Sequence, residues 1–157
     1  MRATDLDQRK GDPPPMRLTD IVLVLDDRLE ASLLAEQLHE QGLWNEIRSL
    51  HDGEAAARYL SSSAESIDQP TPILLLGLRL ARRDGFELLR MIRGDPALSR
   101  IPVGVLGTEH LEGALLRQHG LRVDALLDTP VAVADVVALA RKAPDLHLAV
   151  GRVISPT

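Results

Sequence analysis

Short apolar runs alternate along this chain with segments whose apolar residues recur at helical spacing. Residues 21–25 (IVLVL), 73–76 (ILLL) and 102–106 (PVGVL) are nearly continuous runs. Such runs predict strands covered on both faces. Weaker strand candidates span residues 44–50 and 123–127. Between them, Ala31, Leu34 and Leu38 fall on one face of a predicted helix, as do Phe86, Leu89 and Ile92. Val133, Val136, Val137 and Ala140 do the same near the end. Two further helices are predicted, one over EAAARYL after Asp52-Gly53 and one over residues 111–118.

The punctuation agrees with this alternation. Asp27 followed by Glu30 reads as a capping box, and Gly42 and Gly120 as helix stops. Asp84 before Gly85 reads as the cap of the third helix, and Gly94-Asp95-Pro96 ends it. Residues 61–71 (SSSAESIDQPT) read as a polar loop. Thr129-Pro130 reads as a helix start, with Thr as cap and Pro in the first helical position. Five β-α units in succession predict a doubly wound parallel sheet, a three-layer α/β/α fold. Chemistry in such a fold sits outside the carboxyl ends of the strands. Those ends carry Asp26 and Asp27, then Gly77, then Gly107 and Thr108, and then Asp128, Thr129 and Pro130.

Composition narrows the function classes. At 157 residues the chain suits one domain, with residues 1–18 read as a disordered leader, 19–143 as the domain and 144–157 as an extension. Aromatics are only 2%, so the core is aliphatic, and base stacking is disfavoured. A net charge of −5 argues against a phosphate-backbone binder. There is no cysteine, which excludes disulfides and thiolate chemistry. The polar N-terminus and the lack of a long apolar run leave a cytoplasmic protein, away from membranes, as the expectation. The five histidines show no metal spacing, and no Ser/His/Asp arrangement or phosphate loop is present, so no enzyme is expected.

Several segments together resemble the response-regulator receiver (CheY-like) family: IVLVLDDR, HDGEAAARYL, ILLLGLRLARRDGFELLRMIR, IPVGVLGT and ALLDTPV. The resemblance covers about residues 20–142. Within the family the chain is most similar to the single-domain regulators associated with phytochrome kinases, through the polar loop before the third strand, the stretch from Asp95 to Val103, and the C-terminal extension. The resemblance implies strand order 2-1-3-4-5 and a role in two-component signalling. It also implies a residue set: an acidic pair holding Mg²⁺, an Asp acceptor, a Thr or Ser, a Lys before Pro, and an aromatic on the fifth strand.

Carried across, Asp26 and Asp27 match the acidic pair. Gly77 falls on the acceptor, Gly107 on the hydroxyl, Thr129 on the lysine and Leu126 on the aromatic. Glycine supplies no carboxylate nucleophile, and threonine no charge for a phosphoryl group. The expectation is therefore a degenerate pseudo-receiver, not phosphorylated at the usual position, that docks onto a histidine kinase, another regulator or itself. No effector segment follows the receiver part, so no DNA-binding output is expected.

Each residue also has a plainer reading. Asp27 caps the first helix and Asp26 is solvated, two carboxylates being few for a hard cation. Arg79, Arg82 and Arg83 are either solvated, or one of them reaches Asp26 or Asp27 and substitutes for the metal's charge. Thr108 and Asp84 read as helix caps. The peptide bond before Pro130 is expected to be cis, as the resemblance implies. The alternative function is a ligand-sensing pseudo-receiver that takes a small anion or nucleotide in a cleft lined by Gly77, Gly107 and the arginines. Residues 146–154 (LHLAVGRVI) either pack across a partner subunit, giving a homodimer, or fold back on their own domain.

Overall fold

The computed structural model describes residues 18–66, 70–143 and 146–151. Most of the expected leader therefore lies outside the described residues. The elements run β1 (Ile21–Val24), α1 (Arg28–Glu40), β2 (Ile47–Leu50), α2 (Gly53–Glu65), β3 (Ile73–Leu76), α3 (Gly85–Gly94) and β4 (Val103–Leu106). A π-helical turn (Glu109–Gly113) then leads into α4 (Ala114–Gln118), followed by β5 (Ala125–Leu127) and α5 (Val133–Ala140). The five strands are parallel, in the order β2-β1-β3-β4-β5. This is the doubly wound order expected, and its switch point lies between β1 and β3.

Alternation along the strands divides the core between the two faces. Val22, Val24, Leu74, Leu76, Val103 and Val105 pack with Ala56 and Leu60 of α2 and with Leu88, Leu89 and Ile92 of α3. Ile21, Leu23, Ile73 and Leu75 pack with Leu34 and Leu38 of α1 and with Val136 and Leu139 of α5. Every residue of β1 and β3 is fully buried. Each such Leu or Ile contributes about 2 kcal/mol by leaving water, which explains why these two runs are the strongest signals in the sequence.

Three expectations are corrected. Helix α2 continues through Ser61–Glu65, residues read as loop. Serine costs a helix only about 0.5 kcal/mol relative to alanine, too little to end one whose face is already anchored by Ala56, Ala57 and Leu60. Trp44 is not part of β2. Its N–H donates to Ala149 O (2.8 Å), and Leu43 pairs antiparallel with Val150. Helix α5 starts at Val133, not at Pro130, so Thr129 is not its cap. Gln41 takes the backbone groups an earlier start would use, donating to Val131 O (3.0 Å) and accepting from Val133 N (2.8 Å). Residues 146–151 of the extension fold back on their own domain, one of the two readings given for them. Residues 152–154 lie outside the described residues.

The anchor of that extension is Asn45, the one fully buried amide side chain among the described residues. Its Nδ2 donates to Thr19 O (2.7 Å) and His147 O (2.9 Å), and its Oδ1 accepts from Ala149 N (2.8 Å). Thr19 completes the clamp: its N–H donates to His147 O, and its hydroxyl accepts from His147 N (each 3.0 Å).

Candidate functional site: the cleft at the carboxyl edge

The carboxyl ends of β1, β3 and β4 open onto a cleft of about 400 Å³. Its floor and wall are apolar: Leu25, Leu78, Phe86, Leu106, Leu111 and Leu115. Its charged residues are Asp26, Asp27, Glu30 and Glu112 against Arg79. Gly77 lies at its base, with its N–H donating to Val24 O (2.9 Å). The fold thus brings together Asp26, Asp27, Gly77 and Arg79 from the predicted set. Gly107, Thr129, Leu126 and Arg82 do not line the cleft.

Each position has a local physical account. Asp27 Oδ1 accepts from Leu29 N (2.9 Å) and Glu30 N (3.2 Å), so it is the N-cap of α1. The capping box is only half formed, because the Glu30 side chain makes no return bond and faces the cleft instead. Asp26 is exposed and makes no side-chain hydrogen bond with any described residue. A side chain at position 77 would begin 2.7 Å from Leu25 Cδ2, within the apolar floor.

Gly107 is set by two constraints. Its φ of 152° lies in a region that residues with a Cβ rarely adopt. The Glu112 side chain also occupies the space its Cβ would take. Glu112 Oε1 accepts from Thr108 N (2.8 Å), while Thr108 Oγ1 accepts from Leu111 N (3.2 Å). These reciprocal bonds start the π-helical turn, whose Gly113 N–H reaches back to Thr108 O (3.0 Å). Thr108 is therefore a cap, as expected. Leu126 packs against the turn, with its Cδ1 at 3.0 Å from where a Gly113 Cβ would stand. Thr129 is exposed and joined to Pro130 by a cis peptide bond.

The arginine substitution does not form. No nitrogen of Arg79, Arg82 or Arg83 lies within 4.0 Å of either β1 carboxylate. The loop after β3 turns two of these arginines toward α2. Arg82, in the left-handed region at φ 70°, lies close enough to Asp52 to lower that group's pKa. The Asp52 carboxyl is held below its ordinary value first by the Ala55 N–H that it caps (2.7 Å), with Arg82 and Arg58 adding to the effect. Arg83 faces Glu54 (3.9 Å) and donates to Met91 Sδ (3.3 Å). Gly53 makes this crossing feasible, since a Cβ there would land on the Arg83 carbonyl. Asp84 caps α3 as expected, accepting from Glu87 N (2.9 Å).

The donor set does not fit Mg²⁺. Asp27 has committed one oxygen to helix capping, and Gly77 offers no side-chain oxygen. No group of three or more side chains able to hold an ion occurs among the described residues. A hard cation wants a near-complete shell of oxygens. The cleft of the alternative, anion-binding reading has a mixed lining: Gly77 and Arg79 line it, and Gly107 does not. Glu112 takes the place assigned to Gly107, and four carboxylates stand against one guanidinium. Sequence reasoning gave Glu30 only a capping role and missed Glu112. The available signal for the latter was an acidic residue four positions after the capping Thr108.

No protein-family model matches the chain, but individual relatives do. Response regulator Rcp1 of Synechocystis sp. is 35% identical over 119 residues, covering 75% of this chain and 78% of Rcp1. The solved bacteriophytochrome response regulator AtBRR superposes with a TM-score of 0.66 at 30% identity, covering 80% of this chain and 92% of AtBRR. The phosphorylated cyanobacterial phytochrome response regulator RcpA superposes at 0.60 with 28% identity, covering 80% and 92%. No helix among the described residues is long and apolar enough to cross a membrane. With the sheet order, these likenesses assign the chain to the response-regulator receiver family, alongside its phytochrome-associated members.

Proposed function

We propose that this receiver has lost its phosphorylation chemistry and works in signal transduction by docking to a protein. The observation that carries the reading is Gly77. The strand that supplies the acceptor carboxylate elsewhere in the family ends here in a residue without a side chain, above an apolar floor. Gly107 and Thr129 support it, since neither supplies the hydroxyl or the charge expected at its position. A phosphoryl group would also meet the Glu112 carboxylate and find the Thr108 N–H already taken. RcpA, by contrast, is known in a phosphorylated form.

On this reading the chain is not an enzyme. It presents one fixed surface to a histidine kinase, another regulator or a second copy of itself. A two-state receiver is biased by differential binding of its input; with no phosphoryl input, affinity for the partner should not depend on phosphoryl donors. The test is incubation with a small phosphoryl donor and Mg²⁺, alongside binding to the transmitter region of a histidine kinase with and without the donor. The expected result is no phosphoprotein and one unchanged affinity. An acid-labile phosphoprotein, or an affinity that moves with the donor, overturns the reading.

A further inference from the structure

We propose that the cleft at the carboxyl edge binds a cationic group carried on an apolar chain, such as an alkylammonium. The inference stands on the lining of the cleft and goes beyond the docking reading. Three observations carry it. First, the cavity of about 400 Å³ falls within the range of small-molecule sites, about 300–1,000 Å³. Second, its surface is mainly apolar, and Leu111 at its mouth is 52% exposed, so an aliphatic chain seated there would remove water from both. Third, the charge around it selects for a cation. The carboxylates of Asp26 and Glu30 make no hydrogen bond or ion pair with any described residue, while Glu112 keeps one carboxylate oxygen unspent after binding Thr108 N.

An anion is disfavoured twice over. It would face these carboxylates, and the backbone N–H at the end of β4 that would otherwise receive it is already donated to Glu112. A bare divalent ion is disfavoured by the donor set described above. A cationic head with an aliphatic tail answers both halves of the lining: the head among the carboxylates of the rim, the tail against Leu106, Leu111 and Leu115. Phe86, which closes the wall, is held by stacking on His119 with ring centroids 4.2 Å apart.

The test is an NMR titration of the full chain with hexylammonium, using hexanoate and hexanol as matched controls. The expected result is saturable shifts in the amides of Gly77, Thr108 and Leu111 with hexylammonium, and none with hexanoate. Glu30→Gln and Asp26→Asn, which disturb no hydrogen bond in the structure, should each weaken binding about two- to fivefold. Leu111→Ala should weaken hexylammonium but leave methylammonium unchanged. An end-blocked Leu-Lys-Leu peptide distinguishes the source: tighter binding than hexylammonium assigns the site to a protein's lysine, weaker binding to a free amine, and both support the shared chemistry. Hexanoate binding as tightly as hexylammonium overturns the proposal, as do shifts that fall elsewhere or do not saturate.

Discussion

The two edges of the sheet hold polar groups in opposite ways. At the amino edge they are paired and knit separate segments together. Asn45 and Thr19 join β1, the approach to β2 and the extension. Arg93 donates to Ser99 O, Ile101 O, Arg122 O and Asp124, whose carboxylate also accepts from Val103 N (2.7 Å). At the carboxyl edge, glycines and leucines stand at the base of the cleft, and the side chains of Asp26, Glu30 and Arg79 bond to no described residue. The difference shows where this chain keeps its stability and where it is free to change chemistry. Central strands and amino-edge clamps fix the fold, so the other edge can lose a reaction without the sheet coming apart.

The comparison can be broken by mutation. The largest effect should come from Asn45→Ala. It strands the Thr19 carbonyl and the Ala149 N–H and leaves His147 O with Thr19 N–H alone, and about 3 kcal/mol of stability should be lost in urea unfolding. Next is Gly107→Ala, which forces a Cβ into an unfavourable φ and displaces Glu112 from Thr108. A loss of about 2 kcal/mol is expected, part of it recovered when Glu112→Ala is added. If this carboxyl-edge change costs more than the loss of Asn45, the contrast between the edges is wrong.

Arg93→Ala should cost about 1.5 kcal/mol, since its ion pair with Asp124 (3.1 Å) is only a quarter exposed and the same guanidinium ties three carbonyls. Gly77→Asp should be mild, about 1 kcal/mol or less, because its nearest obstacle is the end of the Leu25 side chain. The variant should fold yet acquire no acyl phosphate, because Gly107 and Thr129 still supply neither hydroxyl nor positive charge at their positions. Mass spectrometry under phosphoryl-donor treatment checks this.

The smallest effect concerns pH. The Asp52 carboxyl titrates below its ordinary value of 3.8 in the folded chain. A depressed folded pKa stabilises the fold above the unfolded value, and that contribution is lost as pH falls through the folded one. Acid titrations of stability should therefore show a small loss beginning below about 4, and Asp52→Asn should flatten it.

Some of this was legible in the residues alone. The runs at 21–25 and 73–76 announced the buried centre of a parallel sheet, because only a strand covered on both faces stays apolar at every position. Asp27, Asp84 and Thr108 announced helix starts, because a cap needs only one side chain and the N–H groups that follow it. The vacancy at Gly77 was equally plain, since a missing side chain cannot be restored by folding.

Tertiary structure decided what depended on distant partners. Gln41 moved the start of α5 through contacts about 90 residues away in sequence, which no local pattern encodes. Trp44 left its strand because the extension at Ala149–Gly151 offered it a partner. Arg82 and Arg83 turned toward Asp52 and Glu54, which the folding of α2 had brought within reach. The sign of charge in the cleft was likewise set by Glu30 of α1 and Glu112 of the π-helical turn, side chains that reach one cleft only when the sheet places the ends of β1 and β4 on either side of β3. A sequence orders residues along one line, whereas electrostatics and packing act through space.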